Sequence, residues 1–187
     1  MNKELKKIIM EDRYRCYGKQ AMPLYKGIWK PKQIKVLICF RKAQYYHFKN
    51  KKILKTLYKI KLKILSERTL IQILPNTVIG KGFYIGHMGR IIINEDSILG
   101  DNINIATGVS IGQANRGKLK GSPRIGNSVW IGTNAVIVGK ITIGDDVLIA
   151  PNAYVNMDVP DHSIVIGNPG IIHFKENATE YYVENKV

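Results

Sequence analysis

Aliphatic residues return at a fixed interval through the middle of this chain. They fall at Ile73, Ile79 and Ile85, then at Ile93, Leu99, Ile105 and Ile111, then at Ile125, Ile131, Ile137, Ile143, Ile149 and Val155. Within each block the step is six residues, and the two breaks are steps of eight and fourteen. The residue after the aliphatic is usually small, as at Gly80, Gly86, Gly100, Gly126, Gly132 and Gly144. A second buried-type residue follows four places on: Ile103, Val109, Val129, Ala135, Ile141, Val147, Ala153 and Val159. An α-helix needs a period of about 3.6 residues, which this pattern does not supply. β-Branched residues at six-residue spacing predict short strands with tight turns between them. Three hexads close one coil of a parallel β-helix, and stacked coils bury what one coil leaves open.

The breaks are the places to look for chemistry, because function sits where a regular scaffold departs from its rule. The eight-residue step puts two extra residues near His87–Arg90. The fourteen-residue step replaces hexads with QANRGKLKGSPR, residues 113–124, which lacks aliphatics at the expected places and predicts one protruding loop. Both irregularities read as belonging to the same region of the repeat. His87 stands two places after the inward Ile85, so its ring is expected to face outward beside the widened corner.

Before the repeat the pattern is helical. Between Lys51 and Leu65 the apolar residues gather on one side and Lys52, Lys55, Lys59 and Lys63 on another. Pro23 and Pro31 interrupt the earlier stretch, and Pro31 is placed to open a helix running to about Lys49. The expected organisation is a basic α-helical segment 1–70, a β-helix domain 71–171 and a tail 172–187.

Charge sharpens this division. The net charge is +15, yet residues 1–70 hold 20 Lys/Arg against 4 Asp/Glu, and residues 71–187 hold 9 against 10. A basic segment attracts polyanions. It is expected to cap the first open coil, and peripheral contact with a membrane or a lipid-linked precursor is the second reading. Nucleic acid ranks last as a partner, since no aromatic platform or recognition motif accompanies the lysines. No apolar run approaches the ~18–20 residues of a membrane span. MNKELKKIIM reads as no signal peptide. Cys16 and Cys39 form neither a disulfide framework nor a metal-ligand spacing, which suits reduced thiols in a cytoplasmic protein.

Three stretches, IGKGFYIGHMGRIIIN, IGQANRGKLKGSPRIGNSVWIGTNAVIVGKITIGDDVLIAPNAYV and DVPDHSIVIGNPG, resemble the left-handed β-helix acyltransferases of the hexapeptide-repeat superfamily. Within it they are similar to the serine acetyltransferases and to the O-acetyltransferases of capsule and lipopolysaccharide synthesis. The resemblance covers about residues 71–171. It implies a mainly β, left-handed parallel β-helix with an N-terminal helical segment, assembled as a homotrimer. Acetyl-CoA would lie in the groove between neighbouring prisms, under a loop of one subunit that covers a site shared with the next. Gly112, Gln113, Gly132, Thr133, Ala150 and Pro151 would line the coenzyme, with Lys175 near a phosphate, and no metal is called for. His87 matches the family's general base. Gln72 stands where the family has the aspartate that orients that base, and Glu95 is a second partner for the ring.

The acceptor is read from the departures. The family's Arg-His before a proline is Gly121-Ser122 before Pro123, and the aspartate before the base is Gly86. A free amino acid carboxylate calls for a bidentate arginine; Arg116 and Arg124 are the nearest replacements, and Arg116, Lys118, Lys120 and Arg124 make the loop basic. Smaller residues leave room for a larger acceptor. The expectation is therefore a sugar hydroxyl in surface polysaccharide, with serine O-acetylation as the alternative and a non-catalytic assembly module as a reading of another class. Backbone N–H groups near Gly121 and Ser122 are the expected oxyanion donors. His162 reads as a surface residue in a turn, His47 and His173 have no constellation around them, and Trp130 is expected to line the groove or a subunit contact.

Overall fold

The computed structural model describes residues 2–20 and 31–187; Pro23 lies outside them. Three helices come first: α1 (Lys3–Tyr17), α2 (Lys32–Phe48) and α3 (Lys52–Thr69). Pro31 is the residue that begins α2, where its missing N–H would have had no helical partner. Leu70 ends α3 in the left-handed conformation, its N–H closing on the Ser66 carbonyl.

Five coils of a three-sided prism follow among the described residues. The first is β1 (Ile71–Gln72), β2 (Val78–Ile79) and β3 (Tyr84–Ile85); the second is β4 (Ile91–Ile93), β5 (Ile98–Leu99) and β6 (Asn104–Ile105). The third is β7 (Ser110–Gly112), β8 (Arg124–Ile125) and β9 (Trp130–Ile131), and the fourth is β10 (Val136–Val138), β11 (Thr142–Ile143) and β12 (Val147–Ile149). The fifth holds β13 (Tyr154–Val155), a bridge at Val159 and β14 (Ser163–Ile166), after which β15 (Ile171–Phe174) turns back. Strands of successive coils pair in parallel. Face A is β1-β4-β7-β10-β13, face B is β2-β5-β8-β11 and face C is β3-β6-β9-β12-β14, closed by the antiparallel β15. Every hexad aliphatic from Ile73 to Val155 points inward, none more than 4% exposed, and so does the second series from Ile103 to Val159.

The small residues of the hexads have a steric reason. Gly80, Gly100, Gly126 and Gly144 stack where face B turns into face C. A Cβ on Gly100 would stand 2.6 Å from the Gly126 carbonyl oxygen and from Asn127 Oδ1. Those side-chain oxygens form a ladder. Asp101 accepts the Lys81 N–H (2.9 Å), Asn127 that of Asp101 (2.9 Å), Asp145 that of Asn127 (2.6 Å) and Asp161 that of Asp145 (2.7 Å). Each coil thus satisfies a turn amide of the coil before it.

The two breaks do not share a corner. The extra residues at 87–90 join β3 to β4, where face C turns into face A. The loop joins β7 to β8, where face A turns into face B. Counting hexads in threes from Ile73 separates them, because the eight-residue step follows a third hexad and the fourteen-residue step follows a first.

Both ends of the prism are closed. Above the first coil, the buried Arg41 of α2 donates to Asp12 of α1 at 2.7 and 3.0 Å, to the Ile79 carbonyl at 2.7 Å and to the Gly80 carbonyl. Asp12 also accepts the Phe83 N–H at 2.8 Å. Removing one member of such a pair leaves a buried charge and costs about 3–5 kcal/mol. At the far end the tail runs back along face C. Asp146 accepts the Ala178 and Thr179 N–H groups at 2.9 and 3.0 Å, Asn104 donates to the Tyr182 carbonyl at 2.7 Å, and Asn102 pairs with Val187. The Tyr182 ring covers Trp130, centroids 4.9 Å apart, so Trp130 meets its own tail rather than an open groove. No helix among the described residues is long and apolar enough to cross a membrane.

The tail anchor is pH-dependent. Burial pushes the Asp146 carboxyl up, but hydrogen bonds from Thr179, His162 and Ala178 outweigh it and hold the pKa below the ordinary Asp value. The same contact, 2.9 Å from His162 Nδ1, holds that imidazole above the ordinary His value, with Asp161 and Glu176 adding to it. The Asp146 contribution is present above the usual carboxylate range and lost as pH falls through its lowered pKa. The His162 contribution is full below the usual histidine value and lost as pH rises through its raised pKa. Anchoring is therefore strongest between the two. Asp146→Asn should speed amide exchange at Ala178 and Thr179 by on the order of tenfold at mildly acidic pH; unchanged protection would show that the carboxylate does not hold the tail.

Candidate active site

The corner that carries His87 is held by five hydrogen bonds. The Gly86 N–H donates to the Ile105 carbonyl (3.1 Å), and its own carbonyl accepts from Gln33 of α2 (3.4 Å). The Met88 carbonyl accepts from Thr107 Oγ1 (3.3 Å). The Gly89 and Ile91 N–H groups donate to the carbonyls of Thr69 and Leu70 (3.2 and 3.0 Å). The two extra residues thus tie the corner to the end of α3. Gly89 has φ +142°, and a Cβ there would collide with Thr107 Oγ1, so only glycine fits this turn. His87 itself is exposed, with no hydrogen-bond partner among the described residues.

Most of the candidate residues sort onto two edges of face A. On the edge between faces C and A stand Gly86 and His87 in the first coil, Gly132 and Thr133 in the third, Ala150 and Pro151 in the fourth. They form one column, stitched by Gly132 N–H to the Ile149 carbonyl (2.8 Å) and Ala150 N–H to the Val165 carbonyl (2.8 Å). On the edge between faces A and B stand Glu95, Gly112, Gln113, Arg116, Gly121 and Ser122. The edges are separated by a hexad of extended chain, about 15–20 Å. An imidazole does not reach across that distance within one chain.

Several expected contacts are not made within one chain. Glu95 does not meet His87 in the same chain; it accepts from Asn76 Nδ2 at 2.7 Å on the far edge. Gln72 lies on the outer side of face A and makes no hydrogen bond to His87. The loop is a small hairpin closed by Ala114 and Gly121, whose N–H groups each donate to the other's carbonyl (3.0 and 2.9 Å). The Gly121 N–H is therefore engaged and is no free oxyanion donor in this conformation. Ser122 Oγ donates to Asn94 Oδ1 at 2.9 Å, which fixes the loop's return. Arg124 is exposed on face B rather than on the loop. Lys175 lies where face B turns into face C, its N–H on the His162 carbonyl at 2.8 Å, across face C from Ala150 and Pro151. Sequence reasoning missed Arg90. It shares with Gln72, Leu70 and Ile92 a groove of about 640 Å³ between α3 and face A.

No cluster of three or more His, Cys, Asp or Glu side chains among the described residues is arranged to hold a metal ion. Burial pushes the Cys16 thiol up to about 12 and the Cys39 thiol up to about 11, which leaves neither as a nucleophile.

Comparison with known proteins places this geometry. Residues 122–156 match the family described as bacterial transferase hexapeptide (six repeats). The chain is 32% identical over 168 residues to the serine acetyltransferase of Helicobacter pylori, spanning 88% of this chain and 91% of that protein. It is 38% identical over 102 residues to that of Bacillus pumilus, spanning 54% of this chain and 47% of the relative. Among solved structures, serine acetyltransferase from Neisseria gonorrhoeae in complex with serine superposes with a TM-score of 0.75 at 27% identity, covering 92% of this chain and 70% of that one. The shared fold is the left-handed β-helix.

If the five-bond corner positions His87, Gly89→Ala should lower thioester turnover by about 10²-fold through displacement of the ring. Its circular dichroism should stay that of the parent. Full turnover in a folded Gly89→Ala variant would show that turnover does not depend on how the corner positions His87.

Proposed function

Because this chain belongs to the serine acetyltransferase family, we propose that it moves the acetyl group of acetyl-CoA onto the hydroxyl of serine, at a site built between two copies of the chain. It is an acyltransferase, which sets aside the non-catalytic module. The expectation of a sugar acceptor in surface polysaccharide is overturned. The Helicobacter pylori relative, matched over nearly the whole of both chains, is a serine acetyltransferase, and the Neisseria gonorrhoeae structure holds serine. The sugar reading rested on two departures, Gly121-Ser122 on the loop and Gly86 before His87. A lost anchor on one loop does not by itself define the acceptor.

The placement of the two edges carries the reading. His87 stands open on one edge of face A, and the loop, Glu95 and Ser122 stand on the other. A homotrimer that sets the first edge of one copy beside the second edge of its neighbour joins them into one groove. There the neutral His87 ring takes the proton of the serine Oγ as that oxygen bonds to the thioester carbonyl carbon. The tetrahedral intermediate collapses with cleavage of the C–S bond, and the proton passes from the imidazolium to the coenzyme A thiolate. The small side chains of the column, Gly132, Thr133, Ala150 and Pro151, leave room along the groove for the extended coenzyme. Glu95 of a neighbouring copy is the partner we assign to the second ring nitrogen.

We place the enzyme in the cytoplasm. Peripheral contact with an anionic membrane is a second reading, favoured by the outer side of α3. Ile53, Leu57 and Ile64 are exposed there between lysines, Ile53 by 85%.

A thioester-cleavage assay tests the reading. The protein should release coenzyme A in a serine-dependent manner, and His87→Ala should slow release by ~10²–10⁴-fold. No serine-dependent release would remove serine as acceptor, and full activity in His87→Ala would remove the ring as base.

A further inference from the structure

Serine carries a carboxylate, and a hydroxyl can be delivered to a base only if the rest of the molecule is held. At the loop position where the resemblance places an arginine, this chain has Gly121-Ser122. Neither replacement suggested by the sequence lies on the edge that carries His87. Arg124 is exposed on face B, between Ile98 and Thr142 in the ladder, and Arg116 stands exposed on the hairpin.

We infer that Arg90 holds the carboxylate of the acceptor. It lies three residues after His87 on the same widened corner. The residues on either side of it, Gly89 and Ile91, are pinned by their N–H groups to Thr69 and Leu70 at 3.2 and 3.0 Å, so its backbone is fixed relative to the base. Its side chain is exposed and makes no ion pair or hydrogen bond among the described residues. It lines the groove of about 640 Å³ whose other wall is α3. Lys59 and Lys63 reach that groove from the helix, Glu67 is the single acid lining it, and the rest of its wall is mainly apolar. A guanidinium offers a planar fork that matches a carboxylate in two parallel bonds, which an ammonium does not. The extra two residues of the eight-residue step thereby have one use: they carry the base and the acceptor's anchor on one turn of one subunit.

This inference rests on serine being the acceptor, and the test keeps the two apart. Steady-state kinetics would compare the unaltered protein, Arg90→Gln and Arg90→Lys, each with serine and with serinamide, in which a neutral amide replaces the carboxylate. Arg90→Gln should raise the KM for serine by roughly 10–100-fold, the loss expected for hydrogen bonds to a charged group. Its effect on serinamide and on the KM for acetyl-CoA should be much smaller, and Arg90→Lys should fall between. Unaltered protein that turns over no serine would refute the acceptor. Serine turnover with equal effects of Arg90→Gln on serine and serinamide, or no effect on either, would refute the role of Arg90.

Discussion

No coil of this prism can bury its own aliphatics. Ile79, Ile105 and Ile137 are shielded only because a coil lies above or below them, and the hydrogen bonds of each strand go to the next coil. Burial and backbone satisfaction therefore depend on one condition, the uniform length of a side. That length also fixes function, since any residue inserted at a corner must leave the column. The chain departs from uniformity at two corners, and there it places an exposed histidine and a hairpin.

The ends show the other side of the same constraint. An open first coil would expose strand edges and the ring of Phe83. The helices cover it, and the buried Asp12–Arg41 pair bonds directly to the carbonyls of Ile79 and Gly80 that close the first coil. At the last coil β15 covers β14, and the tail then crosses the coils along face C to reach Asn102. The tail touches residues of several coils, so it also ties stacked units that otherwise meet only their neighbours.

What was legible in the sequence follows the range of the interactions. The hexads, the corner glycines and the ladder of Asp101, Asn127, Asp145 and Asp161 repeat with the coil, so the pattern announces them. The relation of the two breaks was also present, in the count of hexads modulo three, though reading both as one region obscured it. Asp12 with Arg41, and Asp146 with Thr179, join segments far apart in sequence and obey no period, so nothing local marks them. The acceptor was misread for a different reason. Gly121-Ser122 was weighed as the loss of an arginine, while Arg90 passed as a residue of a turn. Only the fold shows that Arg90 lines a groove.

The central claim is that base and loop belong to opposite edges of one face and meet only between copies. Mixed assemblies test it most directly. Two inactive forms, His87→Ala and a form lacking residues 114–121, would be produced together and assayed for serine acetylation. Neighbouring copies that share a site should restore activity, to about a quarter of that of the parent when the two forms mix evenly in a closed ring. Mixed assemblies that stay inactive would contradict the claim.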